Sequence, residues 1–312
     1  MRMKRDPLPL FINIDYLKEP RYFSLSFRSF FQKVFEKSEL DVGIHEIKLS
    51  KPETVEIFDG GTFNKDKIVE NIFYVKSDLA TKEETEFTKE VYVRGNTVIG
   101  ENNKLRALAC DGEVKIGAGT LINRWVDAEG KVDIAEGCNL GISITTGNEL
   151  HVKNDCKFKR LYGTPVTTGR NKQIKTVENL HECEVYKPTE QSLDIKEIAE
   201  NTINDFSIIT AHDLKVGTNS RINGHIKAYK SVVIEENVII TGNIFADGDI
   251  RIGKNSTVLG NVFSQDEVIL DSMVTIGQEG KIKSVIGNSS ILLAGGVTVH
   301  GYVSTDGDGI VL

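Results

Sequence analysis

"VGTNSRINGHIKAYKSVVIEENVIITGNIFADGDIRIGKNSTVLGNVF", residues 216–263, returns to the same residue types every eighteen positions, and that period decides the fold. Val216, Ile234, Ile252 and Leu270 form one column, and six residues after them come Ile222, Ile240, Val258 and Ile276. Gly224, Gly242 and Gly260 follow the first three anchors by eight positions, and Ile226, Ile244 and Val262 follow them by ten. Two positions before the anchors stand Leu214, Val232, Ile250 and Val268. A period of two inside the longer one marks short strands with one face turned inward. A unit this small cannot bury its own apolar face, so it must stack on copies of itself, each turn advancing about 4.8 Å. The expected fold is all-β: a parallel β-helix solenoid with triangular coils of about eighteen residues.

The same register runs upstream as Ile116, Ile134 and Val152, with Ile122, Leu140 and Phe158 six positions later. Ile99 and Leu105 read as a slipped earlier turn. Four residues after the anchors are Thr120, Cys138, Cys156, Ser220, Val238, Ser256 and Val274, small side chains that suit an inward corner. Cys138 and Cys156, one turn apart, are expected to be stacked, buried and inert thiols. Leu293, Val299 and Val303 repeat the spacing after an offset, which places a five-residue bulge within "QEGKIKSVIGNSS". Residues 166–212 carry no register, and Ile195, Ile198, Ala199, Ile203 and Phe206 follow helical spacing, so a linker with a short helix is expected there. The division expected is a mixed α/β cap region at 1–90, a first β-helix block at 91–165, this linker, and a second block at 213–312.

The N-terminal region is aromatic: ten of the fourteen phenylalanines lie at or before Phe87, which marks it off from the glycine-rich coils. Phe23, Phe27, Phe30, Phe31 and Phe35 share one face of a helix over about 22–37. That face reads either as an interfacial membrane helix or as a cap over an open solenoid end. The strand-like "GIHEIKL" and "TVEIF" that follow favour the cap. A net charge of −7 argues against a nucleic-acid partner. Four cysteines without a CxxC pair suit a reducing, cytoplasmic setting, and no run approaches the roughly 18 apolar residues of a spanning helix.

No catalytic, cofactor or metal constellation emerges. His225 and His300 flank the glycine column and are expected to be solvated surface residues, with no paired carboxylate. His181, Glu182, Cys183 and Glu184 are consecutive and cannot converge on one ion. "GAGT" (Gly117 to Thr120) lacks the GK[ST] of a phosphate loop, and "DGDGI" near Asp306 lacks the rest of a calcium loop. A hexapeptide-type acyltransferase, a left-handed coil acting as a trimer, is the rival reading. It wants an aliphatic residue at every sixth position, where Ala128, Thr146, Ala228, Ala246 and Ser264 stand at the third corner.

The block from Leu214 to Ile276 resembles the bactofilins, polymer-forming bacterial cytoskeletal proteins, through "INGHI" (Ile222 to Ile226), "ITGNI" (Ile240 to Ile244) and "LGNV" (Leu259 to Val262). The resemblance implies a right-handed coil, a non-enzymatic scaffold without cofactor or small-molecule substrate, a homo-oligomer or filament, and peripheral contact with the inner membrane face. From the residues themselves, the expected self-association surface is the C-terminal rim, Leu293, Val299, Val303, Ile310, Val311 and Leu312, because "GIVL" closes the sequence with apolar strand-like residues and exposed strand edges bind other edges.

Overall fold

In the computed structural model, residues 19–37, 46–50, 53–64, 68–171, 180–183 and 194–312 are described. They form a parallel β-solenoid of about 13 turns, with one helix, α1 (Tyr22–Lys37), and a strand, β1 (Glu46–Ser50), at its N-terminal side. Coils of the second block contribute three short strands each, and coils of the first a short strand and a longer one such as Leu121–Ala128, with pairing from each coil to the next. The columns read from the sequence lie atop one another: Ile116 pairs with Ile134 and Ile134 with Val152. Val216, Ile234, Ile252, Leu270 and Leu293 follow in the second block. All of these side chains are buried, and fully burying one aliphatic side chain stabilises by roughly 1.5–3 kcal/mol.

The coil spacing has a backbone cause. Three residues after each anchor the chain turns in the left-handed region, at Asn102, Gly119, Gly137, Asp155, Asn201, Asn219, Asn237, Asn255, Met273 and Gly296. Asn, Asp and Gly tolerate that conformation where other residues strain. The asparagines also bond side chain to side chain along the stack, Asn237 Nδ2 to Asn219 Oδ1 at 3.2 Å and Asn219 Nδ2 to Asn201 Oδ1 at 3.3 Å. At the next corner the coils touch backbone to backbone. A Cβ on Gly242 would stand 2.4 Å from the Gly224 carbonyl oxygen, and one on Gly260 2.4 Å from that of Gly242. The five extra residues bulge between Gly277 and Lys283, after which Val262 pairs with Val285.

Solenoid pairing begins upstream of the expected start of the first block, inside the region expected to be a cap. β2 (Glu53–Phe58) already stacks in parallel on Ile72–Val75, and Phe73 on Val91. The eighteen-residue register does not mark these early coils, because Val55 to Ile72 is a seventeen-residue step and because Phe63, Phe73 and Phe87 fill the interior in place of aliphatics. The helix expected around Ile195 to Phe206 is absent: Glu197–Ile198, Ile203–Asn204 and Ile208–Thr210 are strands, each paired eighteen residues on. Ile198 and Ile208 are the anchor and the tenth position of one more coil, whose spacing coincides locally with that of a helix.

The two blocks run in opposite directions and meet at their C-terminal coils. The first block closes on the strand Cys156–Thr168 and the second on Thr298–Val311, and these pair antiparallel along all three faces. Leu161 faces Val303, Val166 faces Val299, and Cys156 faces Val311, so the apolar interior is continuous through the joint. This corrects the expected self-association rim. Val299, Val303, Ile310 and Val311 pair with the first block of the same chain, Leu293 pairs with Val311, and Leu312 donates its N–H to Leu293. A C-terminal strand edge that apolar cannot stay unpaired in water, and here it finds its partner within the chain.

Met273 is the residue in the left-handed column least suited to it. Met273→Asn is expected to raise stability by about 1 kcal/mol through relief of the left-handed penalty. A denaturant midpoint that falls or stays put would contradict this account of the corner.

Candidate functional site

One outer face of the first block departs from the usual solvated pattern. Its outward column runs Ile57, Tyr74, Tyr92, Ala109, Asp127, Thr145 and Tyr162, one residue per coil. The helix α1 lies over this flank. Phe31 is fully buried, stacked on Tyr74 with ring centroids 5.7 Å apart, and Phe27 meets Trp125 edge to face at 5.7 Å. The helix therefore covers a side of the prism, which corrects the expected cap over its end. Phe23 and Phe30 remain exposed, and the side chain of Phe35 lies outside the described residues. Among the described residues no helix is long and apolar enough to cross a membrane.

Charge fixes the helix in place. The Asp127 carboxylate, buried in the flank, accepts from Arg21 Nε at 2.7 Å, Arg21 Nη2 at 2.9 Å, Thr145 Oγ1 at 2.6 Å, and Arg28 Nη1. Arg21 also reaches Glu129 at 2.6 Å, and Arg28 donates to the Cys110 carbonyl at 2.7 Å and to Asp111 at 3.2 Å. The bond to Asp127 raises the Arg21 pKa; burial opposes the charge on Arg28, but Asp127, Asp111 and Glu129 more than offset it. Tyr92 donates to Asp111 at 3.0 Å, and burial, with the Asp111 charge, pushes its phenol up to about 12. Every oxygen of Asp127 is engaged, so this carboxylate acts as a latch and holds no free lone pair for base chemistry.

Beside the latch, where the chain enters α1, is a cleft of about 190 Å³. Trp125, Ile142 and Phe23 line it with apolar surface, and Arg124, Arg160 and Tyr302 stand at its sides. Tyr302 belongs to the second block, so the cleft sits at the joint. A larger groove of about 600 Å³ lies at the same joint, lined by Glu149, Pro165, Glu279, Lys281 and His300. His300 is only 8 % exposed, which corrects its reading as a solvated residue. Burial lowers its pKa, against a weaker opposing pull from Glu279. No hydrogen bond joins His300 to a nucleophile among the described residues. His225 is half-buried, and its Nδ1 accepts the backbone N–H of Asn243 at 3.0 Å.

The tempting cluster at 181–184 is put to other uses. Glu182 pairs with Lys283 at 2.6 Å and Lys281 at 3.5 Å, and the Cys183 N–H bonds the Thr241 carbonyl, tying this stretch to the second block's side. Glu184 lies outside the described residues, and among those described no group of three ligand-type side chains is placed to hold a metal. Cys138 and Cys156 are buried as expected, each directing its thiol to a carbonyl of the preceding coil.

The remaining candidate is the opposite end of the second block. Its first coil leaves Ile203 71 % and Phe206 58 % exposed. Among the described residues no strand pairs with the outer edges of Glu197–Ile198 or Ile203–Asn204. At the first block's end, by contrast, β1 covers β2. The sequence signal for this rim was present, since Ile198 stands eighteen residues before Val216, but its coincidence with helical spacing hid it.

No protein-family model, curated protein or solved structure matches this chain.

Asp127→Ala leaves two part-buried guanidinium groups facing an empty site, and removing one partner of such a cluster costs about 3 kcal/mol. The denaturant midpoint should fall accordingly, with a red shift of Trp125 emission as Phe27 lifts away; an unchanged midpoint would refute the latch. Tyr92 holds its proton more tightly folded than unfolded, so its contribution is complete below pH 10 and is lost as pH rises towards 12. In Tyr92→Phe the fall in stability across that alkaline range should be shallower, measured by denaturant titration at each pH.

Proposed function

We propose that this chain is a structural scaffold, a rigid rod about 60 Å long by the rise of its coils, that self-associates through the open rim of its second block. The supporting observation is the internal joint: two coils of this kind, meeting antiparallel, close into one continuous core with strand pairing on every face. The rim at Ile195 to Thr210 offers strand edges that, among the described residues, pair only with the next coil, and it carries Ile203 and Phe206 outward. The repeat's resemblance to bactofilins supports the same reading. Because both C-terminal rims are consumed in the joint, assembly proceeds through N-terminal coils, and β1 over β2 makes the two ends unequal. A dimer of rods through the second block's rim is therefore the expected product.

Sedimentation of the intact chain across a concentration series should show that dimer, and negative-stain images should show rods of doubled length. Ile203→Lys with Phe206→Lys, both on exposed positions, should leave a folded monomer by circular dichroism. A monomeric parent chain, or a dimer indifferent to both lysines, would overturn the proposal.

A further inference from the structure

The cleft beside α1 is not used by the rod or its rim, and its composition is specific. The chain carries a net charge of −7, yet beside the mutually paired Arg21 and Asp127 the cleft is lined by two further arginines, Arg124 and Arg160. Arg160 is half-buried and makes no ion pair or side-chain hydrogen bond among the described residues. Arg124 shares Glu90 with Arg106, standing 3.6 Å from that carboxylate while Arg106 takes it at 2.9 Å. Trp125, Ile142 and Phe23 give the same cleft its apolar surface. Pockets for whole cofactors or drug-sized ligands usually span about 300–1,000 Å³, and this one, at about 190 Å³, is equivalent to roughly six waters. One aliphatic or aromatic side chain fills such a space. Trp, Tyr and Arg are also the residue types that dominate binding energy at protein interfaces.

From this geometry we infer that the cleft is a docking site for an acidic segment of a partner protein, which inserts one apolar side chain against Trp125 and sets the flanking carboxylates on Arg160 and Arg124. Burial of the apolar anchor supplies the attraction, and the arginine planes supply the preference for carboxylates over other charges. Trp125 packs edge to face on Phe27, and the neighbouring Asp127 is bonded to Arg21. Neither Ile203 nor Phe206 belongs to it, so its failure would leave the rod proposal untouched, and the reverse holds as well.

Trp125 is the only tryptophan, so its emission reports this cleft alone. The full chain is titrated with three blocked tripeptides, Ac-Glu-Phe-Asp-amide, Ac-Gln-Phe-Asn-amide and Ac-Lys-Phe-Lys-amide. A saturable change is expected with the acidic peptide, at least tenfold weaker binding of the neutral one, and none of the basic one. Arg160→Gln should weaken the acidic peptide about tenfold and leave the neutral one and the melting temperature unchanged, because that guanidinium has no described partner to lose. Ile142→Asp, on a half-exposed position, should abolish the response. Equal binding of the three peptides, or indifference to both substitutions, overturns the inference. Phenylacetate binding as tightly as the acidic peptide would also overturn it, by assigning the cleft to small organic acids.

Discussion

A solenoid coil has two strand edges, and neither can be satisfied from within the coil. Every backbone N–H and C=O along an edge needs a partner, and the usual partner is the next coil. This requirement propagates until something other than another coil intervenes. In this chain the two C-terminal edges satisfy one another: Cys156–Thr168 and Thr298–Val311 pair antiparallel, and the inner aliphatics Leu161, Val166, Val299 and Val303 close the core between them. Gly309 permits this closeness at one point, since a Cβ there would stand 2.4 Å from the Phe158 ring. Reversal of the second block follows from that choice, and so does the segment at 180–183 lying against its side, bonded to Thr241 and Lys283.

The same logic explains why the flank carries the chemistry. Inside a narrow coil the room is taken by aliphatics, a few phenylalanines and small side chains such as Thr120 and Ser256, so a charged group stands outward, where water normally attends it. Covering one outward column with α1 changes this. Asp127 is drawn out of water and must be compensated by Arg21, Arg28 and Thr145, and the edge of that covered patch is where the cleft forms. A helix laid on the side of the prism adds a concavity along its margin.

Much of the fold was legible because the repeat reports on the interior. Anchors such as Val216 and Ile234 are constrained by packing on their own successors, and that constraint recurs at a fixed spacing. Legibility failed where the interior was filled differently or the spacing slipped. Phe63, Phe73 and Phe87 occupy the first coils, and Val55 to Ile72 is one residue short, so the column blurred there. Ile195 to Phe206 obeyed both periods at once. The latch and the cleft were illegible in principle, since Arg21 meets Asp127 over a separation of 106 residues and nothing in the local pattern of either residue records it. An amphipathic face announces that a helix will be covered, but the covering surface is chosen by the tertiary structure.

Direction is the final consequence. A single solenoid presents unlike edges at its two ends, so copies stacking head to tail produce an open filament. Fusing two blocks through their C-terminal coils removes that polarity, because both free ends are then starting coils. Whether such a rod extends or closes depends on how each starting coil is finished. β1 occupies the outer edge of β2 at one end, while Ile203 and Phe206 stand uncovered by any described strand at the other. An interface formed by like rims is isologous and closes on itself, so the proposed dimer through the second block's rim would have a fixed length, unlike a head-to-tail stack.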